Sequence, residues 1–352
     1  MKQEAVHARR LRAQLLSGAP ARDAEGVVER LLAVQGQDER GARLTVRSRS
    51  KGVTAADVDA GFTDRRTLLI TWLNRGTLHL VGADDYWWLH PLTTPQLRVA
   101  SERRLRQEGV SSRQATKGID VVAAAVADGP KTRAQLRAAL DRAKVPTAAQ
   151  AFIHVVFAAS LQGLVVRGPM VGRDHSYVSP ERWLGPAPRS LDRDDALARL
   201  ARRYLAGHGP ANGDDLARWA GITLGDARAG LDAIRDELAA SGDLVELAVS
   251  TTRTTPRLPV PRLLGPFDPV LLGWTSRDAI VGPHRTLVTN NGVFRPFVMV
   301  DGRAVATWKL AGGTVTITRL AEIDDATRTA LEADGAAVLA FLGLPPKAVV
   351  FG

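Results

Sequence analysis

Apolar positions four and five apart open the chain. Residues 4–16 read as a helix with Val6, Leu11 and Leu15 inward and Arg9, Arg10 and Arg12 outward. Gly18-Ala19-Pro20 breaks it, and Asp23 supplies the N-cap of a second helix running to Gln35-Gly36-Gln37. Thr54 caps a third. The period then falls to two: Thr67–Trp72 and Gly76–Val81 read as strands of a hairpin around Asn74-Arg75-Gly76. A helix from Asp84 follows, its Tyr86, Trp87 and Trp88 expected in the core. Helices closed by a hairpin is a winged-helix order.

The pattern repeats. Gly129-Pro130-x-Thr132-x-x-x-Leu136 matches Gly209-Pro210-x-Asn212-x-x-x-Leu216 at an offset of 80 residues, each with a polar N-cap opening a short helix. The first match leads to a helix over 147–161 and strands near 164–166 and 176–178. The second leads to a helix over 224–239 and a strand over 244–249. The helix from Ala151 is apolar on nearly every face, so this module reads as scaffold rather than as a reader of base edges. Pro256, Pro259 and Pro261 mark an extended linker over 250–262. A β meander follows, with strands at 287–289, 293–300, 303–310 and 315–320, an edge strand expected at Arg295-Pro296, and a closing helix over 328–341. The fold class expected is therefore α+β: three tandem winged-helix units (1–115, 116–190, 191–256), then a C-terminal antiparallel β meander with a closing helix (257–352).

Composition narrows the chemistry. With 352 residues, 45% apolar and 24% charged, the chain has the makeup of a globular protein of several units. It has no cysteine, which excludes disulfides and thiolate metal sites. The seven histidines show no metal-ligand spacing, and no Gly-rich phosphate loop occurs, so neither cofactor nor metal is expected. The charged start Met1-Lys2-Gln3-Glu4 is unlike a secretory leader, and the most apolar window, 151–166, is too short to span a bilayer; a cytoplasmic, nucleoid-associated monomer is expected. The formal net charge is +10, and residues 1–120 hold 20 cations against 14 acids. Forty of the cations are arginine, the side chain that meets phosphate bidentately and stacks on bases. A basic, arginine-dominated surface concentrated near the N-terminal third points to nucleic acid.

The densest run is Arg40, Arg43, Arg47, Arg49 and Lys51, with no acid between them, beginning three residues after Gln37. An amide is no base. Its carbonyl can nevertheless hold a water and aim its lone pair, which suffices when the leaving group is already activated. An N-alkylated purine is such a leaving group: it is cationic, and its glycosidic bond breaks readily through an oxocarbenium-like sugar. If residues 35–37 run extended, the two amides point to one side, with Gly36 leaving the gap clear.

Four segments carry a family resemblance: Val34-Gln35-Gly36-Gln37-Asp38, Thr71–Val81, Leu264–Gly273, and Gly292-Val293-Phe294-Arg295-Pro296 with Val300-Asp301-Gly302-Arg303. In this order they resemble the AlkZ/YcaQ family of winged-helix DNA glycosylases. The resemblance implies tandem winged-helix domains and excision of N-alkylated purines from double-stranded DNA; some members unhook interstrand crosslinks or give self-resistance to alkylating natural products. It also implies that a Gln-apolar-Gln element is catalytic, which falls on Gln35 and Gln37. Another branch has Asp at the second position; this chain has Gln there, and Gly36 stands where a larger apolar residue is usual.

The expected catalytic residues are thus Gln35 and Gln37, with Asp268 either stabilising the sugar cation or capping a turn. Expected DNA contacts are Arg40, Arg43, Arg47, Arg49, Lys51, Arg75, His79 and Arg295. A lyase step needs an amine nucleophile, and Lys51 is the only lysine near the motif, so a monofunctional glycosylase is expected. Two other readings stand beside it: a non-catalytic winged-helix regulator, and a protein that sequesters a free alkylating drug in an apolar cleft.

Overall fold

A computed structural model of the protein describes residues 3–250, 256–289, 291–345 and 347–352. The chain opens with α1 (Gln3–Ala13), α2 (Ala24–Leu31), β1 (Ala33–Gln35) and α3 (Glu39–Arg47). Asp23 caps α2 as expected, accepting the Gly26 N–H at 2.7 Å. The helix stops short of the glutamines because Leu32 takes a left-handed φ of 64° and turns the chain into β1. Asp38 then caps α3, accepting the Gly41 N–H at 2.6 Å. Thr54 begins α4 (Ala55–Thr63), its hydroxyl accepting the Asp57 N–H at 3.2 Å.

Two units result: Met1–Val58 with Leu197–Gly352, and Asp59–Ala196. They do not divide at 115, 190 and 256. The helices α1–α3 of the expected first module belong to one unit and its hairpin to the other. Sequence patterns are local, whereas unit membership depends on contacts between the first 58 residues and the last 156.

The central unit holds β2 (Leu68–Leu73), β3 (Thr77–Gly82), α5 (Ala83–Thr93), α6 (Arg98–Gln107), α7 (Ser112–Ala127), α8 (Arg133–Arg142), α9 (Ala151–Leu161), β4 (Val166–Val171), β5 (Asp174–Val178) and α10 (Pro180–Leu184). Its strands lie in the order β3-β2-β4-β5, all antiparallel. Asn74 at φ 52° and Gly76 at φ 80° close the β2–β3 hairpin, the left-handed geometry that glycine tolerates best. Ser111 and Thr132 each form a capping box, on α7 and α8. Phe152, Val155 and Val156 of α9 are fully buried, and Ile153, His154 and Phe157 are half-buried, so most of that helix belongs to the core. Tyr86 and Trp88 are likewise in the core.

The other unit resumes with α11 (Arg193–His208), α12 (Gly213–Ala220), α13 (Leu224–Ala233), β6 (Leu238–Ser241) and β7 (Leu244–Leu247). The helix expected to reach 239 stops at Ala233, because 238–241 pair with β7 instead. Of the linker expected over 250–262, residues 251–255 lie outside the described residues. Next come β8 (Arg262–Leu264), α14 (Asp278–Val281), β9 (Phe297–Val300), β10 (Arg303–Ala311), β11 (Thr314–Arg319), α15 (Asp325–Phe341) and β12 (Ala348–Phe351). They form a sheet in the order β12-β11-β10-β9-β8, with β12 parallel to β11 and the rest antiparallel.

Two expectations fail here. Residues 287–289 are no strand; Val288 only bridges to Phe294. Arg295-Pro296 is no edge strand either: it precedes β9, which pairs on both sides, with β8 and β10. Proline is tolerated there because it lies just outside the ladder. Among the described residues, no helix is long and apolar enough to cross a membrane.

Candidate functional site

The segment from Ala33 to Arg49 is built as strand, bend and capped helix. Gln35 ends β1 and is 6% exposed; Gln37 lies in the bend and is exposed. The two amides do not share one extended face, because the strand ends at Gln35 and Gly36-Gln37 turn the chain toward the Asp38 cap. One amide is held inside the protein and the other stands at its surface.

What fixes α3 is its contact with the segment Leu264–Asp268. A Cβ on Gly41 would sit 2.4 Å from the Pro266 carbonyl oxygen, and one on Gly265 would sit 3.1 Å from the Gly41 Cα. The two glycines therefore let helix and strand end approach backbone to backbone. At the C-terminal end of α3, the Arg49 guanidinium forms a two-pronged pair with Asp268, at 2.9 Å and 2.7 Å, and both side chains are fully buried. Gln14, just after α1, accepts a further Arg49 N–H at 3.0 Å, and Asp268 also accepts the Val270 N–H at 3.0 Å. Arg47 makes a second fork, onto Asp334 of α15, at 2.9 Å and 2.6 Å. Asp334 in turn accepts the Leu263 N–H of β8 at 2.7 Å, and Arg262 donates to the Ser48 carbonyl. Charge-assisted forks of this kind fix orientation as well as distance.

This arrangement corrects part of the expected site. Asp268 faces no substrate: it is sealed against Arg49 and caps the single 3-10 turn Pro269–Leu271. Arg49 has no exposure and Arg47 is committed to Asp334, so neither is open to a phosphate. A run of like charges reads as a solvated face in sequence, but the partners Asp268 and Asp334 arrive from more than 200 residues away. Arg43 is 9% exposed and lies along its own helix, donating to the Glu39 carbonyl at 2.9 Å. Arg40, Lys51 and Arg295 remain exposed on this unit. Sequence reading missed Gln14, Arg262 and Asp334; isolated polar residues in otherwise ordinary helices and strands give no signal.

Arg75 and His79 belong to the central unit. Arg75 is exposed at the β2–β3 turn. His79 is 3% exposed, with Nδ1 on the Thr77 carbonyl at 2.9 Å, so it is a structural residue and not a DNA contact. Burial, helped by the nearby Arg75 charge, pushes its pKa down to about 3, against the backbone hydrogen bond. His90 is held at about 4, also by burial. In the other unit, His208 stacks on Tyr204 at 4.8 Å, and burial holds it at about 3.

These three rings stay neutral in the folded protein, while the unfolded chain protonates them as pH falls through 6.5. Stability should therefore be full above that pH and decline below it, toward the folded values. Each ring contributes about 1.4 kcal/mol per pH unit. Urea unfolding at pH 7, 6 and 5 should show a falling midpoint. A midpoint constant over that range contradicts the assignment.

The motif Leu264–Gly273 is braced beyond Asp268. Tyr204 donates its hydroxyl to the Gly273 carbonyl at 2.7 Å, and Trp274 Nε1 donates to the His208 carbonyl at 2.8 Å. Arg10 pairs with Asp215 at 3.1 Å, and Asp215 also accepts the Thr275 N–H at 2.8 Å. The segments singled out at 34–38 and 264–273 are thus one mechanical assembly: the amide pair, the helix after it, and the frame that holds that helix.

The sequence model of the AlkZ-like DNA glycosylase family matches residues 28–341. Among solved structures, the DNA glycosylase AlkZ of Streptomyces sahachiroi is similar over 100% of both chains, with a TM-score of 0.79 and 24% identity. At that identity the likeness establishes the α+β fold. No curated protein matches the chain. The family match spans both glutamines, the Leu264–Gly273 frame and nearly all of the sheet. On that match the chain belongs to the AlkZ-like family of DNA glycosylases.

Proposed function

We propose that this glycosylase hydrolyses the N-glycosidic bond of N-alkylated purines in double-stranded DNA, N7-alkylguanine and N3-alkyladenine first among them, using a water positioned by Gln35 and Gln37. The observation that carries the reading is the mounting of the amide pair. Gln35 is buried and so cannot swing freely, Gln37 is exposed to a substrate, and the helix that follows is clamped at its far end by two buried or half-buried arginine forks. With Gln35 held in place and Gln37 open to solvent, neutral amides supply position rather than proton transfer. Only a base that already carries positive charge leaves under such conditions. Arg40, Lys51 and Arg295 on one unit and Arg75 on the other are the exposed cations offered to phosphates. The chain acts as a monomer and as a monofunctional enzyme in the cytoplasm, on the nucleoid. Bulky adducts and crosslinks fall within the same chemistry, since the cationic leaving group is common to all.

The test is mass spectrometry of the bases released from duplex DNA treated with a panel of alkylating agents. Free 7-methylguanine or 3-methyladenine, an intact abasic strand and no borohydride-trapped protein are expected. A trapped covalent adduct, or no released base from any alkylated duplex, overturns the reading.

A further inference from the structure

The central unit carries a cavity of about 270 Å3 between α6, α7 and α9. It holds none of the glutamine frame and needs none of it. It exists because small side chains meet there: Ser101 on α6, Ala115 on α7 and Ala158 on α9 leave unfilled the space that larger ones would take. One part of its wall is apolar, with Leu105, Val110, Ile119 and Leu161, and Ser112, Thr116 and Gln162 add polar edges. Arg98 and Arg106 also line it, both exposed, against the single acid Glu102. Arg98 makes a long 3.4 Å bond to the Leu161 carbonyl. The Ser101 hydroxyl is buried and has no hydrogen-bond partner among the described residues. A buried hydroxyl without a partner costs on the order of 1–3 kcal/mol, so a ligand acceptor or a water there has a reason to bind.

We propose that this cavity is a binding site for one compact aromatic acid. Its ring system lies on the apolar walls, and its anionic group faces Arg98 and Arg106. The volume is at the small end for ligand sites, which favours a body of no more than three rings over a nucleotide. Two arginines against one carboxylate select an anion over a cation. The inference does not rest on the amide-pair mechanism, and absence of base release leaves it standing.

The probe is 8-anilinonaphthalene-1-sulfonate, titrated by fluorescence into the full-length protein. Saturable binding at one site is expected. Ala115→Phe should weaken it at least tenfold by filling the cavity, with release of 7-methylguanine unchanged. The double variant Arg98→Gln/Arg106→Gln should weaken it at least tenfold, yet leave binding of the uncharged N-phenyl-1-naphthylamine within twofold. Both arginines are exposed, so this variant keeps the test open should Ala115→Phe fail to fold. Wild-type affinity in the double variant, non-saturable binding, or one-for-one displacement of the probe by undamaged duplex overturns the proposal. The last result would make the cavity part of the DNA surface.

Discussion

Gln37→Ala should lower single-turnover release of 7-methylguanine at least a hundredfold while leaving the melting temperature unchanged. Gln37 is exposed, and surface substitutions usually move stability by no more than about 0.5 kcal/mol. A hundredfold loss corresponds to about 2.7 kcal/mol of transition-state stabilisation, the size of one lost oriented hydrogen-bonding group at a reacting centre. Gln35→Ala should give a similar loss of rate together with some loss of stability, because Gln35 is 6% exposed and truncating it opens space inside the protein. If the two amides hold one water, the double variant should be little worse than either single one, since residues acting as a unit are not additive. Full activity in the double variant would remove both residues from the mechanism.

The second large effect is on the frame. Arg49→Met or Asp268→Leu alone leaves one charge fully buried without its partner, which typically costs about 3–5 kcal/mol. For a unit of this size that is a fall in melting temperature of roughly 6–20 °C. The combined Arg49→Met/Asp268→Leu variant should be far milder than the sum, since no lone charge remains. It will not be silent, because Gln14 and the Val270 N–H lose their partners too. Thermal melts of the three variants decide between this account and a catalytic Asp268. A catalytic carboxylate would give, in Asp268→Asn, near-complete loss of turnover with the melting temperature of the parent. The frame reading gives the reverse order: destabilisation first, with lost activity following from the unfolded fraction.

Much of the architecture was legible in the chain because it is written locally. Caps at Asp23, Thr54, Thr132 and Asn212 and the period-two runs on either side of Asn74-Arg75-Gly76 need no distant partner. What was not legible depends on distant residues. Strands β8 and β12, of three and four residues, exist only because neighbouring strands recruit them. The end of α2 at Leu31 comes from a left-handed Leu32 that no propensity would favour. The basic run 40–51 looked uniform, yet the structure sorts it: Arg47 and Arg49 turn inward to acids far along the chain, while Arg40 and Lys51 stay in solvent. The glutamine pair itself was marked by family resemblance; spacing alone would not separate it from two polar residues at the end of a helix. For Asp268 the sequence allows either a stabiliser of the sugar or a cap, and the structure has it capping the turn at Pro269–Leu271 within a buried ion pair.

The central claim is that a neutral amide pair works only on a base already activated by alkylation. It is tested most directly by matched duplexes, identical but for one nucleotide: N7-methylguanine in one, uracil in the other, compared by single-turnover release. The account predicts rapid release of 7-methylguanine and none of uracil above the uncatalysed background. Comparable excision of uracil, whose glycosidic bond carries no activating charge, would contradict it.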